Sequence, residues 1–248
     1  MSTRHPTTAR RTRQRDSVSA AEKLPVAERF VSVNGEGAHA GQFSTFIRFR
    51  GCNLACSYCD TRWACNEGCP VEELTVEELS AYAAEQQTPC ITLTGGEPLL
   101  QPQLAELVDA LAFQTECFVE IETNGACDIA SLAELRRRQI GVGHLGFTLD
   151  CKSPSSGMNS KMLTSNYEHL TADDCVKFVV GSREDLDSAA AVIEEHELLS
   201  KCPVFFSPIF GQIEPADIVD YLSFNGLRDA RVQVQLHKVI WPGVEKGV

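Results

Sequence analysis

The sequence predicts an α/β fold: an incomplete TIM-like β/α barrel on a mostly parallel sheet of about six strands. Two observations carry this prediction. Strand-like and helix-like segments alternate along most of the chain, and such a succession forms right-handed crossovers and a parallel sheet. Polar or glycine-rich motifs follow several strand-like segments directly, and in parallel barrels functional side chains lie at the carboxyl ends of strands. Six or seven strands are too few to close an eight-stranded barrel, so we expect an incomplete one.

The individual elements follow from the periodicity of apolar residues. Strand-like segments span 43–50, 90–94, 117–123, 145–151, 175–180, 203–207 and 231–236. Segments with helical periodicity span 74–86, 102–113, 128–138, 183–199 and 214–224. The first of these helices has Thr75 at its start and Glu78 three residues later, which is the spacing of a capping box.

Length and charge favour one acidic domain. The chain has 248 residues, of which 43% are hydrophobic, and a net charge of −12. This charge argues against a nucleic-acid partner, because such proteins carry a basic face. Residues 1–25 are rich in Arg, Ser and Thr and poor in apolar residues, so we expect a disordered tail there and the core domain over 26–248. The sequence has neither a secretory signal nor a long apolar stretch, so we expect a cytoplasmic protein away from membranes.

Three of the eleven cysteines, Cys52, Cys56 and Cys59, lie in one short loop, GCNLACSYC, spaced C-x3-C-x2-C. Soft thiolates favour iron–sulfur, zinc or copper(I), but a structural zinc site is closed by four ligands. A [4Fe–4S] cluster held by three cysteines keeps one iron open. An open iron is able to chelate the amino and carboxylate groups of S-adenosylmethionine (SAM). The spacing therefore favours one cluster on this loop, with a zinc knuckle as the alternative.

The loop resembles the signature of the radical SAM superfamily, in which an aromatic residue, here Tyr58, precedes the third cysteine. The TGGEP motif closes the strand at 90–94, and its glycines let the backbone approach a ligand closely. In the superfamily the matching segment contacts the SAM amino group, which implies such contacts for Gly96 and Glu97. The ETNG and DCKSPSSG motifs end two further strands, so all three motifs should surround one axis.

A longer set of motifs resembles the 7-carboxy-7-deazaguanine synthase (QueE) family. The set is VNGEG, GCN, CDT, TGGEPLLQ, ETNG, DCKSPSSG, VKFVV, QVQLHK and the terminal GV. The resemblance implies conversion of 6-carboxy-5,6,7,8-tetrahydropterin to 7-carboxy-7-deazaguanine with release of ammonia, in the biosynthesis of queuosine and related deazapurines. It also implies catalytic use of SAM, a [4Fe–4S] cluster, Mg²⁺ and a homodimer with a truncated barrel.

The same resemblance implies roles for individual residues. The SAM-binding set is Tyr58, Cys59, Asp60, Gly96, Glu97, Ser153, Pro154, Ser155 and Lys177. The substrate-binding set is Val33, Asn34, Gly35, Glu36, Arg48 and Thr94. Within it, Arg48 suits a bidentate pair with the substrate carboxylate. Thr61 matches the family's Mg²⁺-ligating hydroxyl, and Gln235 and His237 are expected near SAM or substrate.

Two other functions stay open at this point. An activating enzyme for a glycyl-radical protein would share the cysteine loop and GGEP but act on a protein. An iron–sulfur or zinc-binding module without enzymatic activity belongs to a different class. Cys65 and Cys69 follow the cluster loop, but two thiols are too few for a second cluster. We expect a pterin substrate and an electron donor such as flavodoxin or ferredoxin.

Overall fold

The computed structural model describes residues 22–114, 116–138 and 144–248, which form one nine-stranded sheet flanked by helices. The strands are β1 Leu24–Val33, β2 Phe43–Phe49, β3 Glu72–Leu74, β4 Cys90–Gly95, β5 Phe118–Thr123, β6 His144–Lys152, β7 Cys175–Val180, β8 Val204–Pro208 and β9 Arg231–Val232. The helices are α1 Arg62–Cys65, α2 Val76–Gln86, α3 Leu104–Gln114, α4 Ala130–Arg138, α5 Arg183–Glu195, α6 Leu198–Lys201, α7 Pro215–Phe224 and α8 Leu236–Ile240.

The sheet is parallel except at one end. Its strand order is β3-β1-β2-β4-β5-β6-β7-β8-β9, and every pair from β2 to β9 is parallel. Only β1 is antiparallel to its neighbours, β2 and β3. The end strands, β3 and β9, are not paired with each other in the described part of the chain. The prediction of an incomplete barrel with a mostly parallel sheet is therefore confirmed.

Alternation along the strands separates an apolar outer face from a polar inner face. In β4, Ile91 and Leu93 are fully buried in the apolar core with side chains of α2 and α3. The residues between and after them, Thr92 and Thr94, bond to carboxylates of β5. Because successive side chains of a strand point to opposite faces, one face packs on the helices. The other face brings hydroxyls and charges together inside the barrel.

Helix starts follow the predicted caps, and one predicted helix is divided. The Thr75 side chain accepts a hydrogen bond from the Glu78 N–H, and the Glu78 carboxylate accepts one from the Thr75 N–H at 2.9 Å. This confirms the capping box. The helix predicted over 183–199 ends at Glu195, because Glu197 adopts a left-handed conformation with φ of 50° before α6 begins.

The first strand was not predicted from the sequence. β1 begins at Leu24, inside the segment expected to be a tail, and both Leu24 and Val26 are buried in the core. Regular structure is thus present before residue 26. The pairing of β1 with β2 and β3 stabilises a segment that carries Pro25 and little apolar periodicity. Residues 1–21 lie outside the described residues.

The strand predicted over 231–236 is much shorter. β9 contains only Arg231 and Val232, and the chain then turns into α8. The following glutamines bond to the loop after β1 instead of extending the sheet. The Gln233 Oε1 accepts from the Gly37 N–H at 3.1 Å, and the Gln235 Nε2 donates to Glu36 at 3.2 Å. No helix within the described ranges has the length and hydropathy for a membrane span.

Replacing Thr75 with alanine removes the capping box of α2. We expect a loss of about 1 kcal/mol in the free energy of unfolding, the usual cost of an N-cap side chain. Urea denaturation of the wild type and Thr75→Ala measures it. The helix lies on the outer face, so iron content after cluster reconstitution should not change. A loss of iron would contradict the separation of the two faces.

Candidate active site

The carboxyl ends of the parallel strands surround a cavity of about 740 Å³. Most of the residues implied by the resemblance line it: Val33, Asn34, Gly35, Glu36, Arg48, Cys52, Cys56, Tyr58, Cys59, Asp60, Thr61, Thr94, Gly96, Lys177, Gln235 and His237. Glu97, Ser153, Pro154 and Ser155 do not line it. The thiols of the cysteine loop and a set of buried charged side chains line the same cavity.

The three predicted cluster ligands are free thiols on the loop between β2 and α1. The Arg62 guanidinium donates to the Cys56 carbonyl at 2.8 Å and holds the turn of the loop. The Asn124 side chain lies 3.6 Å from the Cys52 sulfur. No three His, Cys, Asp or Glu side chains within the described ranges converge on a single metal-ion position.

Among the other cysteines, Cys65 lies beside the cluster loop, where its thiol interacts with the thiols of Cys59 and Cys52, and the rest are dispersed. Cys65 lines the cavity, and its thiol donates to the Thr61 carbonyl at 3.7 Å. Cys69 is buried outside the cavity lining, with its thiol on the Pro70 carbonyl. The pair therefore does not form a site of its own, and the expectation of a single cluster stays a prediction. Four further cysteines are buried on β4, β6, β7 and before β8: Cys90, Cys151, Cys175 and Cys202.

The two glycines of TGGEP pack directly on the cluster loop. The Gly96 N–H donates to the Phe49 carbonyl at 3.1 Å, and the Glu97 N–H donates to the Gly51 carbonyl at 2.7 Å. A β-carbon on Gly96 would collide with the Gly51 carbonyl oxygen. Only glycine fits at this contact, which fixes the cysteine loop against the end of β4.

Glu97 ties two strand ends together. Its carboxylate is fully buried and accepts hydrogen bonds from the Asn124 N–H at 2.8 Å and the Thr123 hydroxyl at 2.9 Å. It also accepts from the Leu99 N–H at 3.1 Å. Burial raises the pKa of Glu97, and these donors partly oppose that rise. The geometry makes Glu97 a link between the TGGEP and ETNG turns; its SAM contact stays a prediction.

The SPSS turn packs against the cysteine loop. The Ser57 hydroxyl donates to the Ser155 carbonyl at 2.6 Å, and the Ser155 N–H donates to Asp185 at 2.8 Å. The Ser153 hydroxyl is buried and has no hydrogen-bond partner among the described residues. Contacts of Ser153, Pro154 and Ser155 with SAM stay predictions, since these residues border the cysteine loop without lining the cavity.

At the opposite side of the cavity, Glu36 and Lys177 form a buried ion pair of 2.8 Å through Glu36 Oε2. Burial acts to raise the pKa of Glu36. The Lys177 ammonium and hydrogen bonds from Lys177, Ser207 and Gln235 outweigh burial and lower this pKa to about 2. Glu36 Oε1 is buried without a partner in the described part of the chain. It is an anionic acceptor available to a ligand throughout the neutral pH range.

Arg48 and Thr94 line the cavity between these two regions. The Arg48 Nε donates to Glu28 at 2.8 Å across the β1–β2 pair, and the Thr94 hydroxyl donates to Glu122 at 2.7 Å. The ion pair with Glu28 fixes the Arg48 guanidinium. Its positive charge lines a chamber that also contains several carboxylates. Contact of Arg48 with a substrate carboxylate stays a prediction.

The segment after β9 contributes His237 and Lys238. Their side-chain nitrogens lie 3.9 and 3.6 Å from Asp60 Oδ2. The His237 Nδ1 lies 2.7 Å from the position that a β-carbon on Gly35 would occupy, so the imidazole packs on the glycine backbone. Burial lowers the pKa of His237, against the opposing effect of Asp60. Thr61 precedes α1, and its hydroxyl lies 3.8 Å from the Cys59 sulfur.

Four charged residues of the interior had no assigned role: Glu120, Glu122, Asp150 and Lys152. The Lys152 ammonium bonds to Asp150 Oδ2 at 2.6 Å, and Lys177 lies 3.9 Å from the same oxygen. The signal for these residues was present in the sequence. They alternate with apolar residues in β5 and β6, where a charge at every second position of a buried strand indicates a polar inner face.

Comparisons with known proteins agree with this geometry. The family model of the radical SAM superfamily matches residues 46–163. A 7-carboxy-7-deazaguanine synthase of Clostridium acetobutylicum is 43% identical over 223 residues, covering 90% of this chain and 98% of the relative. Enzymes of the same name from Chlorobaculum tepidum and Methanospirillum hungatei are 34% and 38% identical and cover 93% and 88% of this chain. The matches cover 100% and 85% of the length of these two enzymes.

A solved structure shares the fold. The crystal structure of QueE from Escherichia coli superposes with a TM-score of 0.63 at 20% identity. The match covers 86% of this chain and 94% of the other. The open parallel sheet is thus a known arrangement.

Replacing Gly96 with alanine tests the contact between TGGEP and the cysteine loop. The added methyl group would meet the backbone at Gly51, which has no side-chain freedom to move away. We expect lower iron content after anaerobic reconstitution and a loss of stability of roughly 1–3 kcal/mol. Gly68→Ala is the matched control, because nothing lies within 4 Å of its added β-carbon. Equal iron content in both variants would contradict the tight contact.

Proposed function

Because the chain belongs to the 7-carboxy-7-deazaguanine synthase family within the radical SAM superfamily, we propose that it makes 7-carboxy-7-deazaguanine from 6-carboxy-5,6,7,8-tetrahydropterin, with release of ammonia. The observation that carries the proposal is the shared chamber. One cavity joins three free thiols on a C-x3-C-x2-C loop to an interior lined by Arg48, Glu36 and Lys177. Its volume of about 740 Å³ suits small molecules.

The cofactors are a [4Fe–4S] cluster, SAM and Mg²⁺. The donor set fits the cluster: Cys52, Cys56 and Cys59 are free, lie on one loop and line the cavity. When bound, the cluster supplies the electron that cleaves SAM. The chain's own task is to hold the loop in place, through Arg62 and the glycine contact, and to keep water away from the chamber.

The charges of the chamber suit a carboxylated pterin. A pterin presents amine and ring N–H donors, for which the free Glu36 Oε1 is an acceptor. Arg48 would take the substrate carboxylate, with Glu28 keeping the guanidinium in place. Lys177 compensates the negative charge of Glu36 and Asp150, which reduces their repulsion of the ligand's negative group. Val33, Asn34, Gly35 and Thr94 would complete the substrate contacts.

Polar groups without partners support ligand binding on the SAM side. The Tyr58 hydroxyl, the Ser153 hydroxyl and Asp150 Oδ1 are buried and unbonded among the described residues. Buried polar atoms are nearly always hydrogen-bonded, so a cofactor that offers amine, carboxylate and ribose groups is the natural partner. We assign the SAM contacts to Tyr58, Cys59, Asp60, Gly96, Glu97, Ser153, Pro154, Ser155 and Lys177.

The two other functions are less well supported. An activating enzyme has to admit a glycine-bearing loop of a protein, whereas this chamber has the volume of a small-molecule site. A binding module without activity has no use for an interior of compensated charges. Relatives named as synthases match along nearly the whole chain. We further propose an electron donor such as flavodoxin or ferredoxin, a homodimer and a cytoplasmic location, all on the family resemblance.

The proposal is tested with reduced protein, SAM and the pterin carrying deuterium at carbon 6. We expect 7-carboxy-7-deazaguanine by mass spectrometry, several product molecules per SAM, and deuterium in the SAM recovered afterwards. Cys56→Ala, which removes one expected cluster ligand, is the inactive control. Stoichiometric 5′-deoxyadenosine without label in SAM would point to another radical reaction.

The Thr61 hydroxyl is the proposed Mg²⁺ ligand. Thr61→Ala should raise the magnesium concentration for half-maximal rate at least roughly tenfold, a cost typical of disturbed metal sites. Its cluster absorption spectrum should not change. Thr61→Ser keeps the hydroxyl and should behave as the wild type. An unchanged magnesium dependence in Thr61→Ala would remove this residue from the site.

A further inference from the structure

Glu120 is a buried carboxylate with no role so far. It lies on β5, is 1% exposed, and is not part of the cavity lining. Its side chain lies between the inner face of the sheet and the loop that follows β1. That loop, residues 34–42, carries the NGEG motif and is called the NGEG loop below.

All hydrogen bonds of Glu120 come from neutral donors. The Thr148 hydroxyl donates to Oε1 at 2.5 Å, and the Asn34 amide donates to Oε2 at 2.5 Å. The Thr92 hydroxyl donates to Oε2 at 3.2 Å. None of the described ion pairs includes Glu120, and the charge with the largest effect on it is that of the like-charged Glu122. Burial, followed by Glu122, raises the pKa of Glu120 to about 7.

A buried carboxylate without a cation is costly, so its contacts indicate what it does. One of them leads directly to Glu36: the Asn34 amide donates to Glu120, and Asn34 Oδ1 accepts from the Glu36 N–H at 3.4 Å. The Asn34 backbone closes the NGEG loop by bonding to Gln42 and Gly41 at 2.7 and 2.8 Å. Gly37, with φ of 77°, lies near the same group of side chains, since a β-carbon there would lie 3.2 Å from Thr148 Oγ1 and 3.5 Å from Glu120 Oε1.

Glu36 is thereby held from two directions. Its carboxylate is bound at the tip by Lys177 and Gln235 through Oε2. Its backbone is held by Asn34, whose Oδ1 accepts from the Glu36 N–H and whose amide donates to Glu120. The outcome of this arrangement is a buried Oε1 without a hydrogen-bond partner among the described residues, on a side chain that lines the cavity.

We propose that Glu120 is a positioning residue for substrate: by holding the Asn34 side chain, which in turn bonds to the Glu36 N–H, it sets the place where Glu36 Oε1 receives the pterin ring N–H. The identity of the ligand as a pterin rests on the proposed function. Glu120 does not touch substrate itself; it acts through the NGEG loop. Of the proposed SAM-binding residues, only Lys177 belongs to this chain of contacts, and the described bond that it makes there is to Glu36.

The test compares Glu120→Ala, Asn34→Ala and the double variant, all loaded with cluster. Each single variant should raise the KM for the pterin roughly 10- to 100-fold, the cost of one hydrogen bond to a charged group. The double variant should be no worse than either single one, because both residues act in one contact. The dissociation constant of SAM, measured by equilibrium dialysis without pterin, and the iron content should match the wild type.

Glu120→Gln is the conservative control. Its amide oxygen accepts from Asn34, and its amide nitrogen donates to the Thr148 hydroxyl, so the KM for the pterin should stay within about twofold of the wild type. If Glu120→Ala does not fold, Glu120→Gln and Asn34→Ala carry the test. A normal pterin KM in Asn34→Ala then overturns the proposal.

Other outcomes separate the possible failures. Additive effects in the double variant, or SAM affinity lost in parallel with pterin affinity, would show a general structural role and overturn the positioning role. Wild-type protein that forms no product from the pterin overturns the proposed function, and the positioning role with it. Wild-type turnover together with a normal KM in Glu120→Ala overturns the positioning role alone.

Discussion

Charge compensation inside the barrel is the constraint on which the rest of the structure depends. Lys177 contacts Glu36 at 2.8 Å and Asp150 at 3.9 Å, and Lys152 contacts Asp150 at 2.6 Å. A buried ion loses its hydration, and only such mutual pairing offsets that loss. The network joins the NGEG loop to β6 and β7. Removing Lys177 would therefore leave Glu36 without a cation, with Asp150 still paired to Lys152, and would remove one of the contacts that hold the loop bearing Glu36.

The two halves of the site depend on a shared framework. Glu97 joins the end of β4 to the end of β5, and the glycine before it fixes the cysteine loop. On the other half, Glu120 and Asn34 join β5 to the loop after β1. Because β5 takes part in both, the distance between the thiols and Glu36 is determined by one strand. A radical reaction needs such a fixed register between the reacting groups.

Much of the fold could be predicted because its signals are local. The capping box at Thr75 and the buried strand at 90–94 depend on neighbouring residues alone, and both were found. β1 was missed because its stability comes from pairing with strands distant in sequence. Gln233 and Gln235 alternate with valines as a strand would, but their side chains bond to the NGEG loop and end the strand. The position of Glu97, bonded between two turns, likewise depends on contacts that spacing does not reveal.

The fold also sorts eleven chemically identical side chains by location. Cys90, Cys175 and Cys202 are buried, and burial raises the pKa of each thiol to about 12. Such thiols stay protonated at neutral pH and are poor nucleophiles and poor metal ligands. The cysteine loop borders an open chamber that iron and sulfide are able to enter, although burial raises the pKa of its Cys56 thiol as well. Access from the chamber thus separates the thiols of the cysteine loop from these three interior thiols.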